Sequence, residues 1–144
     1  MTIWFDMDGT IADLYAVANW LDKLRAYDPT PYAEAGTLMN FSQLARMLHK
    51  VQKAGYEIGI ISWLSRTSNA DYDMAVTQAK RAWLNKHLPS VTWDEIRIVS
   101  YGTNKRIETG GGILFDDEEC NRADWGEGAY APSAIMEVLK KLVE

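Results

Sequence analysis

The residues able to do chemistry in this chain stand in tight groups. Asp6 and Asp8 flank a single residue and are followed by Gly9 and Thr10, while Asp116 and Asp117 are adjacent. Each group directly follows a short apolar run, Ile3-Trp4-Phe5 in one case and Ile113-Leu114-Phe115 in the other. Unpaired buried carboxylates are costly, so acids at the ends of buried-looking strands do little for folding. The chemistry that suits them is the holding of a divalent metal and attack on a phosphate. A carboxylate approaching a phosphomonoester meets another anion, and a metal must screen that repulsion. Mg²⁺ prefers hard oxygen ligands, which Asp6, Asp8 and an acid from the 116–117 pair can supply.

The elements that must position these groups alternate. After the opening strand, residues 12–27 carry apolar residues at Leu14, Val17, Ala18, Leu21 and Leu24, the spacing of a helix that Pro29 and Pro31 then stop. Residues 31–40 read as a loop or short helical insert, and 41–54 as an amphipathic helix capped by Asn40 or Ser42. A strand over 57–61 ends at Ser62-Trp63. A long helix over 72–87 follows, with Met74, Ala75, Ala79, Ala82 and Trp83 as its expected inner face. Further strands are expected at 96–99, 112–115 and 129–130, with helical turns at 104–108 and 118–124 and a closing helix at 132–143. Such alternation implies an α/β fold: a three-layer, Rossmann-like parallel sheet of about five strands with helices on both faces. Ligands of open parallel sheets gather at the carboxyl ends of the strands. Asp6 and Asp8, Ser62, Lys105 and Asp116-Asp117 all fall at or just beyond such ends.

The bulk properties exclude several functions. At 144 residues, 47% hydrophobic and 24% charged, the sequence describes one globular domain over 1–144. A net charge of −5 without a basic stripe argues against long nucleic acids as partners. No apolar run approaches the roughly 20 residues that span a bilayer. No basic-then-apolar leader is visible, so a cytoplasmic location and no membrane partner are expected. The single cysteine, Cys120, leaves no internal disulfide or cysteine-rich zinc site.

Asp6-Met7-Asp8-Gly9-Thr10, Ser62, Lys105 and Asp116-Asp117, in that order and strand context, resemble the four motifs of the haloacid dehalogenase-like (HAD) superfamily. The stretches 80–88, 104–105 and 114–117 are also similar to the 5′(3′)-deoxyribonucleotidase branch. The resemblance implies that Asp6 is a nucleophile forming an aspartyl-phosphate. It implies that Asp8 is the general acid and then base, giving the metal only its backbone carbonyl. Lys105 would offset charge on nucleophile and phosphate, and Thr10, Ser62 and the Trp63 region would hold the loop and phosphoryl oxygens. Mg²⁺ would sit among Asp6, Asp8, Asp116 and Asp117, with Asp116 slightly favoured over Asp117 as direct ligand. The implied function is a Mg²⁺-dependent phosphatase of a small phosphorylated metabolite, a nucleotide above others, acting as a monomer or weak dimer. A small cap at about 12–40 would shape its specificity. The alternatives are a polynucleotide end phosphatase and a catalytically idle binding protein on the same scaffold.

Several residues have bland readings beside the sharp ones. Lys80 rivals Lys105 for the lysine position, and Lys105 is preferred because it lies shortly before the strand that ends at Asp116. Tyr15, Trp20, Tyr32 and Trp63 suit either wall packing or stacking on a base. Arg66 reads as a substrate contact or an exposed loop residue. His49 and His87 read as surface residues on helices. Gly110-Gly111-Gly112 lacks the lysine and helix of a phosphate-binding loop and reads as a turn.

Overall fold

The computed structural model describes residues 1–144. Its main sheet has the strands β1 (Thr2–Phe5), β4 (Glu57–Trp63), β5 (Glu95–Val99), β6 (Ile113–Phe115) and β7 (Ala129–Tyr130), in the order β5-β4-β1-β6-β7. All neighbouring pairs are parallel, and Phe5 of β1 stands in register with Ile60 of β4 and Phe115 of β6. β1 is therefore central, and its carboxyl end opens between two parallel neighbours. This is the α/β, Rossmann-like architecture that the alternating elements predict.

The pleat of β1 divides the core. Ile3 and Phe5 join a cluster with Leu44, Leu48 and Val51 of helix α3 (Phe41–Lys53) and Ile135 and Leu139 of α7 (Ile135–Leu142). Trp4, pointing to the other face, packs with Ile61, Leu114 and Trp125, the last on α6 (Glu119–Trp125). Successive strand residues alternate faces, so a single β1 serves both layers. Gly59 gives Trp4 its space, because a Cβ there would lie 2.5 Å from the indole ring. Gly59→Ala is therefore expected to cost about 1–3 kcal/mol, the usual toll of overpacking, read as a lower urea midpoint.

The caps follow local chemistry. Asn40 accepts the Gln43 N–H at 3.0 Å to start α3, and Asn69 accepts the Tyr72 N–H at 2.8 Å to start α4 (Ala70–His87). The 41–54 helix thus begins as expected, with Asn40 as the cap, and the 72–87 helix begins two residues early.

Two expectations need correction. Residues 12–27 do not form one helix. Ala12–Asp13 (β2) pairs antiparallel with Gly36–Thr37 (β3), Leu14–Ala16 makes a single 3₁₀ turn, and only Trp20–Arg25 (α1) is α-helical. Asn19 and Tyr27 both take left-handed φ values, 57° and 59°, which interrupt any continuous helix here. Leu14 and Leu24 are buried as the spacing suggests, but against Tyr32, Tyr72 and Val76 in a separate small cluster. Tyr32 comes from a five-residue helix, α2 (Thr30–Glu34), with Pro31 in its first turn.

The inner face of α4 also differs. The buried residues are Tyr72, Val76, Lys80, Trp83 and Leu84, whereas Met74 is 63% exposed and Ala82 lies outside. Tyr72 and Val76 face the small cluster while Trp83 and Leu84 enter the main core. Lys80 sits between them. No helix is long and apolar enough to cross a membrane.

Candidate active site

The loop after β1 is folded by one carbonyl. The Met7 oxygen accepts the N–H groups of Thr10, Ile11 and Ala12 at 3.1, 3.0 and 2.9 Å. Gly9 takes φ +81°, and a side chain there would collide with the Asp117 carboxylate and the Tyr15 ring. This turn returns Thr10 beneath Asp6, where its hydroxyl donates to Asp6 Oδ2 at 3.0 Å and accepts the Asp117 N–H at 3.1 Å. One threonine thus ties the β1 loop to the β6 loop.

Lys105 opens α5 (Lys105–Thr109), whose cap, Asn104, accepts the Ile107 N–H at 3.0 Å. Its buried ammonium donates to Asp6 Oδ1 at 3.0 Å and to Asp116 Oδ2 at 2.6 Å. Burial alone would lower the lysine pKa, but Asp6 and Asp116 outweigh it and hold the group above its ordinary value. Asp116 is fully buried, with a donor on each carboxylate oxygen. It also accepts from the Glu118 N–H at 2.9 Å and from the Asn121 amide at 3.1 Å. Asp117 receives only a 3.4 Å contact from the Thr10 hydroxyl, so its carboxylate keeps open lone pairs.

A second lysine lies on the other side. Lys80 is 1% exposed and donates to Asp8 Oδ2 at 2.8 Å, Ser62 Oγ at 2.7 Å and the Trp63 carbonyl at 2.7 Å. It also stands 4.9 Å from the Tyr32 ring centroid. Asp6 and Asp8 therefore each own a buried ammonium, Lys105 and Lys80 respectively. Burial pushes the Asp8 carboxyl above its ordinary pKa, with Lys80 pulling against it and Asp6 adding to it.

Asp6, Asp8, Thr10, Ser62, Trp63, Lys105, Asp116 and Asp117 are thus brought together at the carboxyl end of the sheet. Trp63, expected at the phosphate, lines the cavity. Its ring lies 5.3 Å from the Lys105 ammonium and its indole N–H donates to the Thr103 carbonyl at 2.9 Å. Asn121 was not expected to take part, and Lys80, weighed as the rival of Lys105, stands in the cluster beside it. The signal for Lys80 was present: it occupies the 72-76-80-84 stripe of α4, where a lysine among apolar residues has to find an acid. His49 and His87 lie away from the cluster, against a surface groove with Phe41 and Pro89.

Asp6, Asp116 and Asp117 can each present an oxygen within 4.8 Å of the others. Counting Asp8, the four carboxylates when all ionised exceed the two lysine ammoniums by two negative charges. A divalent cation cancels that excess, and the donors are all oxygen, so Mg²⁺ fits this set. The electrostatics carry the same signature. Burial and the Asp6 charge push Asp116 up to about 6 and Asp117 up to about 8, from 3.8. A carboxyl raised in the folded state binds protons that the unfolded chain releases. Its contribution to stability is therefore full near and below pH 3.8 and is lost as pH rises through about 6 and about 8. A cation at Asp117 competes with that proton. If Mg²⁺ is held there, the rise in melting temperature that it gives should be larger at about pH 9 than at about pH 5.5 in thermal melts. Equal rises at both would contradict this.

A cavity of about 290 Å³ opens from Asp6, Asp8 and Lys105 toward α1 and the loop after β4. Two aromatic pairs line it. Tyr15 meets Trp20 edge-on at 4.9 Å between centroids, and Trp63 meets Tyr101 at 5.0 Å.

Neither a protein-family model nor a curated protein sequence matches the chain. Among solved structures, it is similar to the D,D-heptose 1,7-bisphosphate phosphatase of Burkholderia thailandensis. The match has a TM-score of 0.55 at 14% identity and covers 96% of this chain and 97% of that one. At this identity the likeness is one of fold: the two chains share a Rossmann-like parallel sheet with surrounding helices.

Proposed function

We propose that this chain is a Mg²⁺-dependent phosphomonoester hydrolase that works through an aspartyl-phosphate on Asp6. The observation that carries the proposal is the pairing of Asp6 with Lys105 and Thr10 at the mouth of a cavity, with Asp8 beside it on its own lysine. A carboxylate held from both oxygens is oriented for attack, and near-attack positioning is worth several kcal/mol. In this reading one Asp6 oxygen bonds to phosphorus as the ester P–O bond breaks. Asp8 gives its proton to the departing alcohol oxygen, which suits a carboxyl raised by burial. Asp8 then takes a proton from water as that water attacks phosphorus, the aspartyl P–O bond breaks, and inorganic phosphate leaves. Ser62 and Lys105 hold the phosphoryl oxygens, and Lys80 fixes Asp8 and Ser62 relative to each other.

Asp6, Asp117 and the Asp8 backbone carbonyl are the groups that would hold Mg²⁺, which supplies charge screening between phosphate and Asp6 when bound. Asp116, with every oxygen engaged, anchors Lys105, so Asp117 is preferred as the direct ligand.

The substrate reading is a small phosphorylated metabolite, a nucleotide above others. The two aromatic pairs along the cavity support it, because planar bases stack on such rings. Residues 12–40 act as the small cap, since β2, β3, α1 and α2 all fall within them and residues of α1 and α2 line the cavity. The solved relative's name specifies a sugar bisphosphate, so sugar phosphates belong in the same test.

The test is phosphate release from nucleoside monophosphates, sugar phosphates and an aryl phosphate, with Mg²⁺ and with a chelator. Release that requires Mg²⁺ and is fastest on nucleotides is expected. Mg²⁺ binding with no turnover of any ester would instead favour an idle binding protein.

A further inference from the structure

The cavity carries positive charge that the phosphatase reading does not use. Of the arginines outside the cavity, Arg81, Arg97, Arg106 and Arg122 each donate to a protein carbonyl, Arg97 also pairs with Glu95, and only Arg46 on α3 has no such partner. Arg25 and Arg66 line the cavity, yet neither makes a side-chain hydrogen bond or an ion pair. Three carboxylates line the same cavity. Asp6 and Asp8 are held by Lys105 and Lys80, and Glu118 directly follows the Asp116-Asp117 pair. Arg25 ends α1, where a cation complements the helix dipole. That explains one charge, but Arg66 belongs to no helix and faces the same cavity from the loop after β4. In a chain of net charge −5, two exposed arginines without protein partners that line one cavity suit an anion from outside.

We propose that Arg25 and Arg66 form a second anion subsite, and that the substrate carries a phosphate or carboxylate beyond the scissile phosphoryl group. The proposal rests on the phosphatase reading only for which phosphate is cleaved; the subsite itself is a binding claim. A guanidinium presents a planar fork of donors that matches the oxygens of such a group. The bulk of the ligand then spans from the lysine-flanked carboxylates to the arginines, with the aromatic pairs beside it.

The test uses the whole chain in Mg²⁺ and reads binding as well as turnover. Thymidine 3′,5′-bisphosphate is compared with thymidine 5′-monophosphate, and fructose 1,6-bisphosphate with fructose 6-phosphate. This distinguishes a nucleoside from a sugar source for the second anion. Calorimetric affinities on Asp6→Asn, where chemistry is blocked, should favour one doubly charged ligand by at least about tenfold over its singly charged partner. A gap of that size is usual for a charge-assisted hydrogen bond. In the exposed-site double variant Arg25→Gln/Arg66→Gln on the same background, that ratio should fall to within about twofold of unity. Equal affinities within both pairs, or a ratio that survives loss of both arginines, would overturn the proposal. Tight and arginine-dependent binding without phosphate release from wild type would leave the subsite standing and sink the phosphatase reading instead.

Discussion

Asp6→Asn is expected to abolish turnover while leaving the fold at least as stable in the absence of metal. Asn keeps the size of Asp, its carbonyl oxygen can accept from Lys105 and its amide nitrogen can donate to the Thr10 hydroxyl oxygen, so the β1 loop retains its tethers. What disappears is the anionic oxygen that attacks phosphorus, and loss of a nucleophile typically costs about a thousandfold or more in rate. The charge of Asp6 also raises both Asp116 and Asp117, so its removal relieves repulsion in the metal-free cluster. Steady-state phosphate release from an aryl phosphate reads the first effect, and a thermal melt in chelator reads the second. Turnover within tenfold of wild type would show that Asp6 is not the nucleophile. A large loss of melting temperature would show instead that the acid serves the fold. A companion measurement is acid quenching of wild type during turnover of a labelled ester, which should leave label on the chain in an alkali-labile bond.

Lys80→Met should be the most damaging single change to stability in the site. The ammonium is almost fully buried and serves Asp8, Ser62 and the Trp63 carbonyl at once. Met preserves most of the side-chain volume but strands the Asp8 carboxylate in a low-dielectric setting. Breaking one side of a buried pair costs about 3–5 kcal/mol. Adding Asp8→Asn removes the stranded charge, so the double variant should recover part of that loss, a coupling that urea denaturation of the four-protein cycle measures. Additive losses would mean that the ion pair contributes little. Catalytically, Lys80→Met frees Asp8 and Ser62 to move, and the expected fall in kcat is about a hundredfold, the lower range for general acid–base help. An unchanged kcat would remove Lys80 from the working site and leave it a core residue.

The site consists of two lysine-carboxylate pairs beside one shared cavity. Lys105 joins Asp6 to Asp116, and Lys80 joins Asp8 to Ser62, so each carboxylate proposed to react has a fixed partner. The asymmetry between Asp116 and Asp117 follows from the same bonds. Asp116 accepts three protein donors on its carboxylate, while Asp117 has its backbone N–H held by Thr10 and a single 3.4 Å contact on its side chain. Sequence order alone gave no way to separate two adjacent acids.

The strands and the residues at their ends were legible from the sequence. A central parallel strand must be apolar on both faces, so Ile3-Trp4-Phe5 and Ile113-Leu114-Phe115 announce themselves, and acids directly after them fall at the ligand-binding edge. The cap residue Asn40 was readable too, because it acts on its own neighbours. Residues 12–40 were not. Their apolar spacing fits a helix, yet left-handed turns at Asn19 and Tyr27 and the pairing of β2 with β3 divide them into short pieces. That outcome depends on Tyr32, Tyr72 and Val76 being available to bury Leu14 and Leu24, a contact between distant parts of the chain. Lys80 belongs to the same category. In the sequence it is one lysine on a long helix. Only the packing of α4 across both clusters turns it inward, 72 residues away from the acid whose charge it neutralises. The sequence by itself determined the sheet and which side chains stand at its carboxyl end, because those follow from local periodicity. The tertiary structure decided which lysine serves which carboxylate and what lines the cavity, because burial and charge pairing are properties of the assembled chain.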